Sequence, residues 1–119
     1  MAACAAAVCL LAGAQTVVIY SSRDAVHALR AYSLARVYDD TFIARDLRPG
    51  DNWRESIAAR LCSADKVLVL WSEHAAASRE VEKELAIGSF CERLMIPVLL
   101  DATPLPPELR HIHAVDGWR

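Results

Sequence analysis

The chain has 119 residues, of which 55% are hydrophobic and 24% are charged, and this composition is typical of one globular domain and not of a disordered chain. The formal net charge of −2 argues against the basic stripe with which proteins hold nucleic acid. We therefore expect no nucleic-acid partner.

The four cysteines follow no recognisable pattern. Cys4, Cys9, Cys62 and Cys91 include no C-x-x-C pair, and their spacing fits neither a zinc site nor a small disulfide framework. We expect reduced thiols, mostly buried, in a cytoplasmic protein that has no metal site.

The first fifteen residues, MAACAAAVCLLAGAQ, contain no charged residue. A signal peptide would need a basic start, and a transmembrane helix needs about 20 apolar residues, which would consume the first strand. We interpret residues 1–15 as an Ala-rich extension of unknown role, with an extra helix packed on the domain as the alternative. Residues 16–119 form the predicted domain, and no membrane contact is expected.

The first half of the domain alternates strand and helix patterns. TVVIY (16–20) is an unbroken apolar run, as in a strand buried on both faces, and DTFIA (40–44) is a weaker strand. Between them, residues 23–36 have helical periodicity, with apolar positions at Val26, Leu29, Ala31 and Leu34. The segment RDLRPGDN (45–52) is a loop, because Pro-Gly is a strong turn signal.

The second half continues this alternation. Residues 53–64 form an amphipathic helix with Trp53, Ile57 and Leu61 at i, i+4 and i+8, and KVLVLW (66–71) is the clearest strand. Residues 78–93 are helical, with Ser78 as the N-cap. MIPVLL (95–100) is a strand, TPLPPEL is a loop, and HAVDG (113–117) is a short final strand.

Alternating strands and helices indicate a parallel sheet covered by helices on both faces. Ligands of such sheets bind beyond the carboxyl ends of the strands, where the strand order reverses. The groups at those ends are Ser21, Ser22 and Arg23 after the first strand, the loop 45–52 after the second, and Ser72 and Glu73 after the third.

Several common sites do not fit these strand ends. The segment after the first strand has no glycine, which excludes a dinucleotide fingerprint and a P-loop. Trp71-Ser72 and Leu100-Asp101 stand where a phospho-accepting receiver domain needs Asp and Lys, and the chain has no G-x-S-x-G. His111 and His113 lack a third ligand, so we interpret them as solvated.

Several segments, in their order and spacing, resemble a TIR (Toll/interleukin-1 receptor) domain of the bacterial kind over residues 16–117. They are VVIYSSRDA, DLRPGDNWRESIAARLCSADKVLVLWS, SREVEKEL, and MIPVLL followed by LPPEL. The resemblance implies a flavodoxin-like parallel sheet of about five strands in the order 2-1-3-4-5. The family fold also has a final helix, and this chain stops at Trp118-Arg119, so we expect that helix to be absent or the chain to be a fragment.

The resemblance implies an activity for enzymatic members of the family, which cleave the nicotinamide–ribose bond of NAD. The last glutamate of the S-x-W-V-x-x-E-L pattern is then the catalytic residue, and it corresponds to Glu84. NAD is the substrate and no cofactor is needed. The expected substrate-binding residues are Ser21, Ser22, Arg23, Trp53, Ser72 and Ser78, with Arg23 pairing a phosphate.

The resemblance also implies a partner, because the family's BB loop mediates contacts between TIR domains. Its counterpart is the loop Asp46, Leu47, Arg48, Pro49, Gly50 and Asp51. We therefore expect self-association in intracellular signalling or defence.

The pattern departs from the family at Glu80, which replaces the tryptophan, and at Ala44, which replaces an acidic residue. Whether the chain is an enzyme is therefore left open. The alternative is a non-enzymatic module that acts only through TIR–TIR contacts. A nucleoside deoxyribosyltransferase-like enzyme, which shares the sheet and a catalytic glutamate, is a third hypothesis.

Overall fold

Five parallel strands form the centre of the protein. A computed structural model describes residues 14–43, 53–110 and 114–116. The strands are β1 (Gln15–Ile19), β2 (Asp40–Ile43), β3 (Lys66–Trp71), β4 (Met95–Leu99) and β5 (Val115–Asp116). They are hydrogen-bonded in the order β2-β1-β3-β4-β5, and every neighbouring pair is parallel. The predicted α/β class and strand order are confirmed.

Four α-helices connect these strands. They are α1 (Ala25–Ala35), α2 (Trp53–Ser63), α3 (Glu73–Ala76) and α4 (Arg79–Phe90), with single 3-10 turns at Ser22–Asp24 and Pro107–Leu109. The Ser78 hydroxyl caps α4 by accepting from the Val81 amide at 3.2 Å, as its position predicts. The short α3 and the turn at Pro107–Leu109 had no counterpart in the sequence pattern.

The two faces of the sheet carry separate apolar clusters. Val17 and Ile19 of β1 pack on the side of α2, α3 and α4, whereas Val18 and Tyr20 pack on the side of α1. Successive side chains of a strand point to opposite faces, so a central parallel strand must be apolar at every position. This requirement explains why TVVIY and KVLVLW read as continuous apolar runs.

Most of the apolar positions that give α1 its helical periodicity face solvent. Val26, Leu29 and Leu34 are 71%, 59% and 72% exposed, whereas Ala28 is buried against the sheet. Ala28 packs there together with the half-buried Ala31 and Tyr32. Because α1 is apolar on two sides, periodicity alone could not identify the inner one.

The expectation of reduced, mostly buried thiols is wrong for one pair of cysteines. Cys62 in the last turn of α2 and Cys91 at the end of α4 form a disulfide, with Cα atoms 5.3 Å apart, and both are only partly buried. That separation lies within the usual range for disulfides. The two helices pack side by side on one face of the sheet, which brings together cysteines 29 residues apart. Cys4 and Cys9 lie outside the described residues.

An ion pair at the amino edge of the sheet joins Asp39, which directly precedes β2, to the first residue of β3 across the intervening β1. The Lys66 Nζ atom lies 2.8 Å from Asp39 Oδ2, which also accepts from the Thr16 hydroxyl at 2.9 Å. The hydrogen bond from Lys66 is the main cause that lowers the pKa of Asp39 below its ordinary value of 3.8; burial opposes it, and the Thr16 bond and the Lys66 charge add to the lowering.

Within residues 14–43, 53–110 and 114–116, no helix has the length and apolar character that crossing a membrane requires.

Reduction of the disulfide is expected to destabilise the fold. The cross-link closes a loop of 29 residues, and the chain-entropy model assigns roughly 3.5 kcal/mol to a loop of that size. Urea unfolding with and without dithiothreitol should show this loss in the native chain and none in Cys62→Ser/Cys91→Ser. A Cys4→Ser/Cys9→Ser control should keep the response to dithiothreitol. Equal stability of the native chain in both conditions would contradict the cross-link.

The Asp39 ion pair predicts an acid-dependent loss of stability. A carboxyl whose folded-state pKa lies below the unfolded one stabilises at pH values above the unfolded pKa, and this contribution disappears as the pH falls through the folded pKa. Asp39→Asn should therefore lower the free energy of unfolding by about 1 kcal/mol at pH 7 and by less near pH 2. The exposed neighbour Asp40, as Asp40→Asn, is the control. A difference that is the same at both pH values would refute the assignment.

Candidate functional site at the carboxyl ends of the strands

A cavity of about 590 Å³ lies beyond the carboxyl ends of β1 and β3. β2 lies on one side of β1 in the sheet, and β3 lies on the other. The strand order therefore reverses at β1, next to the cavity. The lining residues are Ser21, Ser22, Arg23, Glu73, His74, Ala77 and Ser78. Four of the predicted substrate-binding residues, Ser21, Ser22, Arg23 and Ser78, are thus brought together.

The first wall of the cavity is the 3-10 turn that follows β1. The Asp24 amide donates to the Ser21 carbonyl at 2.8 Å, and the Ser21 hydroxyl accepts from the Arg23 amide at 3.3 Å. Ser21 is buried, whereas Ser22 and Arg23 are exposed. Ser21 therefore holds the turn, and its two neighbours present a hydroxyl and a guanidinium group to a ligand.

The second wall is α3 and the two residues that follow it. The Ser72 hydroxyl accepts from the Ala75 amide at 3.1 Å, and Asp101 Oδ2 accepts from the Glu73 amide at 2.9 Å. Two side chains thus satisfy amides at the start of this short helix. Glu73 and His74 on α3 then supply one acidic and one imidazole group to the cavity.

Asp101 has a lowered pKa at this edge of the sheet. The hydrogen bond from the Thr103 side chain is the largest cause; burial opposes it, and the Glu73 and Thr103 amides and the charge of His74 add to the lowering. Its other oxygen accepts from the Thr103 amide at 2.9 Å. The ionised carboxylate therefore fixes the loop after β4 against the start of α3.

Ser72 has a different position from the one predicted. It is buried and, among the described residues, does not line the cavity. Its hydroxyl donates to Asp24 Oδ2 at 2.5 Å, beneath the two walls. Ser72 thus supports the cavity from inside the fold.

Glu84 lies on the inner side of α4. It is only 4% exposed and shares the buried stripe of this helix with Val81, Leu85 and Gly88. Glu82 is exposed and Glu80 is half-buried. The three glutamates of SREVEKEL therefore differ in environment, and Glu84 is the buried one. Within the described part of the chain, Glu84 is not among the residues that line the cavity.

Some predicted residues cannot be placed. The predicted interaction loop, Asp46 to Asp51, lies outside the described residues, as do His111 and His113. Trp53 begins α2 as predicted, but its side chain also lies outside what is described. In the ranges that the structure covers, no three His, Cys, Asp or Glu side chains are grouped so that they could hold a metal ion.

The structure adds two residues that sequence reasoning missed. Asp24 is a buried carboxylate below the cavity, and His74 is part of its lining. A signal for His74 was available, because Ser72 followed by Glu-His-Ala-Ala is an N-cap before helix-forming residues. Asp24 had only a weak signal, a polar residue at the start of a helix.

Comparison with known proteins agrees with this architecture. The family model described as "TIR domain" matches residues 17–119. A search of curated proteins found no match.

Two solved structures show the same fold at low identity. The TIR domain of the Toll-related receptor TRR-2 from Hydra magnipapillata has a TM-score of 0.73 and 24% identity, covering 86% of this chain and 82% of that one. A 2-desoxiribosyltransferase from Leishmania mexicana has a TM-score of 0.57 and 12% identity, covering 76% of this chain and 67% of that one. Because the family model spans most of the sequence, the chain belongs to the TIR domain family of signalling modules, whose members typically interact with other TIR domains.

Proposed function

We propose that this TIR domain cleaves NAD at the nicotinamide–ribose bond after copies of the chain associate, with Glu84 as the catalytic carboxylate. The observation that carries the proposal is the burial of Glu84 on the inner stripe of α4. Glu84 also occupies the position in SREVEKEL that the enzymatic members of the family use.

Burial separates Glu84 from an ordinary helix glutamate. Removing a carboxylate from water costs free energy, and a position used only for solubility would place it outside, as at Glu82. A position used only for packing would favour an apolar residue, like its neighbours Val81 and Leu85. A buried carboxylate on this stripe is therefore better explained by chemistry than by stability.

A single carboxylate is enough for the proposed reaction. Cleavage of the nicotinamide–ribose bond passes through an oxocarbenium-like state, and a carboxylate in a medium of low polarity stabilises the positive charge that develops on the ribose. Nicotinamide leaves as a neutral molecule, so the reaction needs no general acid.

The lining of the cavity suits the remainder of NAD. A volume of about 590 Å³ is within the usual range for small-molecule sites. Arg23 can pair with a phosphate, and the hydroxyls of Ser22 and Ser78 can bond to ribose. Ser21 and Ser72 support these groups from below.

A second candidate is a non-enzymatic module, favoured by Glu80 in place of the family's tryptophan. In that case the chain acts only by associating with other TIR domains, and the loop Asp46 to Asp51 is the proposed contact. A third candidate comes from the fold shared with a 2-desoxiribosyltransferase. Its reaction would be transfer of the deoxyribose of a nucleoside to another base. Release of nicotinamide from NAD separates the first candidate from the second, and exchange of the base of a deoxynucleoside identifies the third.

Glu84→Gln tests the enzymatic proposal. We expect the concentrated native chain to release nicotinamide from NAD, and Glu84→Gln to reduce the rate by ~100-fold or more, because an amide cannot stabilise the positive charge. Nicotinamide is followed by chromatography, with Glu82→Gln as the exposed control that keeps the native rate. Absence of release at every protein concentration, or equal release from the native chain and Glu84→Gln, would refute the role of Glu84.

Pro49→His tests the proposed contact between copies. We expect this variant to elute from size exclusion as a smaller species than the native chain at equal concentration, because the loop that carries Pro49 is the proposed interface. Nicotinamide release should fall in parallel if association activates the enzyme. Unchanged elution would count against the loop as the interface.

A further inference from the structure

The two walls of the cavity come from segments that are far apart in the sequence. The turn Ser22–Asp24 follows β1, and α3 follows β3 almost fifty residues later. Any ligand held between Arg23 and His74 therefore depends on how these segments are fixed to each other.

A buried hydrogen bond joins the two walls. The Ser72 hydroxyl donates to Asp24 Oδ2 at 2.5 Å, and both side chains are almost completely buried, at 2% and 6% exposure. The same Ser72 oxygen accepts from the Ala75 amide at 3.1 Å. One proton and one lone pair of this hydroxyl thus connect Asp24 to the start of α3.

Asp24 also fixes the first wall through its backbone. Its amide donates to the Ser21 carbonyl at 2.8 Å and closes the turn that presents Ser22 and Arg23. Asp24 is therefore bonded to one wall through its backbone and to the other through its carboxylate. Because this bond is short and both of its side chains are shielded from water, it restrains the distance between the walls.

We propose that Asp24 is the positioning residue of the cavity: through Ser72 it sets the spacing between the Arg23 wall and the α3 wall. This inference rests on the proposed function in so far as NAD is the molecule that the cavity holds. Asp24 itself does not line the cavity among the described residues, so it acts through other residues and is not assigned a chemical step.

Four variants separate this role from general stability. Asp24→Ala and Ser72→Ala each remove the bond between the walls, Asp24→Asn keeps an acceptor oxygen, and Asp24→Ala/Ser72→Ala removes both partners. Steady-state cleavage of NAD is measured for each variant at a temperature where it is folded. Hydrogen exchange of the Ala75 amide is measured without ligand.

We expect KM for NAD to rise ~10-fold or more in Asp24→Ala and in Ser72→Ala, with kcat changed far less. Asp24→Asn should restore most of the affinity. The double variant should have a KM for NAD no higher than that of either single variant, because both changes remove the same hydrogen bond. The Ala75 amide should exchange faster in Asp24→Ala, although Asp24 does not contact that amide.

A native KM in folded Asp24→Ala, or a double variant whose KM effect is the product of the single effects, would overturn the inference. If Asp24→Ala does not fold, the comparison of Asp24→Asn with Ser72→Ala decides: equal KM values contradict the positioning role. If the native chain does not cleave NAD, the proposed function is refuted, but the positioning role of Asp24 is not. The positioning of α3 is then judged by exchange of the Ala75 amide, and unchanged protection in Asp24→Ala refutes it.

Discussion

The parallel pairing of β1 with both β2 and β3 determines which segments of the chain meet at each edge of the sheet. Parallel strands need crossover connections, so each strand starts at the same edge of the sheet and ends at the opposite one. The polar segments that follow β1, β3 and β4 are therefore brought to one edge. Because the strand order reverses at β1, the connections after β1 and β3 diverge and leave the cavity between them.

The two edges of the sheet use their polar groups differently. At the amino edge, the Asp39 carboxylate pairs with Lys66 and accepts a hydrogen bond from the Thr16 hydroxyl. The Asp65 carboxylate accepts from the Gln15 amide at 2.7 Å. These bonds hold strand starts together and contribute to stability. At the carboxyl edge, the buried bond between Ser72 and Asp24 fixes two walls whose remaining polar groups line an open space. That division is expected where stability and ligand binding occupy opposite ends of one sheet.

Much of the fold could be predicted from the sequence, because strands such as KVLVLW must be apolar at every position. The N-cap at Ser78 and the grouping of Ser21, Ser22 and Arg23 at a strand end were also local signals. These features are set by nearby residues, and sequence reasoning recovers such features well.

What was missed depends on contacts between distant segments. The inner face of α1 is decided by how closely Ala28 approaches the sheet, and the disulfide by how α2 packs against α4. The buried position of Ser72 depends on Asp24, which is 48 residues away. No periodicity or spacing in the chain records these distances, so the pattern of α1 did not identify its inner face and Cys62 was predicted to be a reduced thiol.

We propose that a nucleotide binds in the cavity at the carboxyl ends of β1 and β3. The most direct test is a titration of the ¹⁵N-labelled Glu84→Gln variant with NAD, followed by amide chemical shifts, so that turnover does not deplete the ligand. If NAD binds in this cavity, saturable chemical-shift changes should be concentrated at the amides of residues 21–24 and 73–78. Shifts confined to other surfaces, or no saturable shift at millimolar NAD, would contradict it.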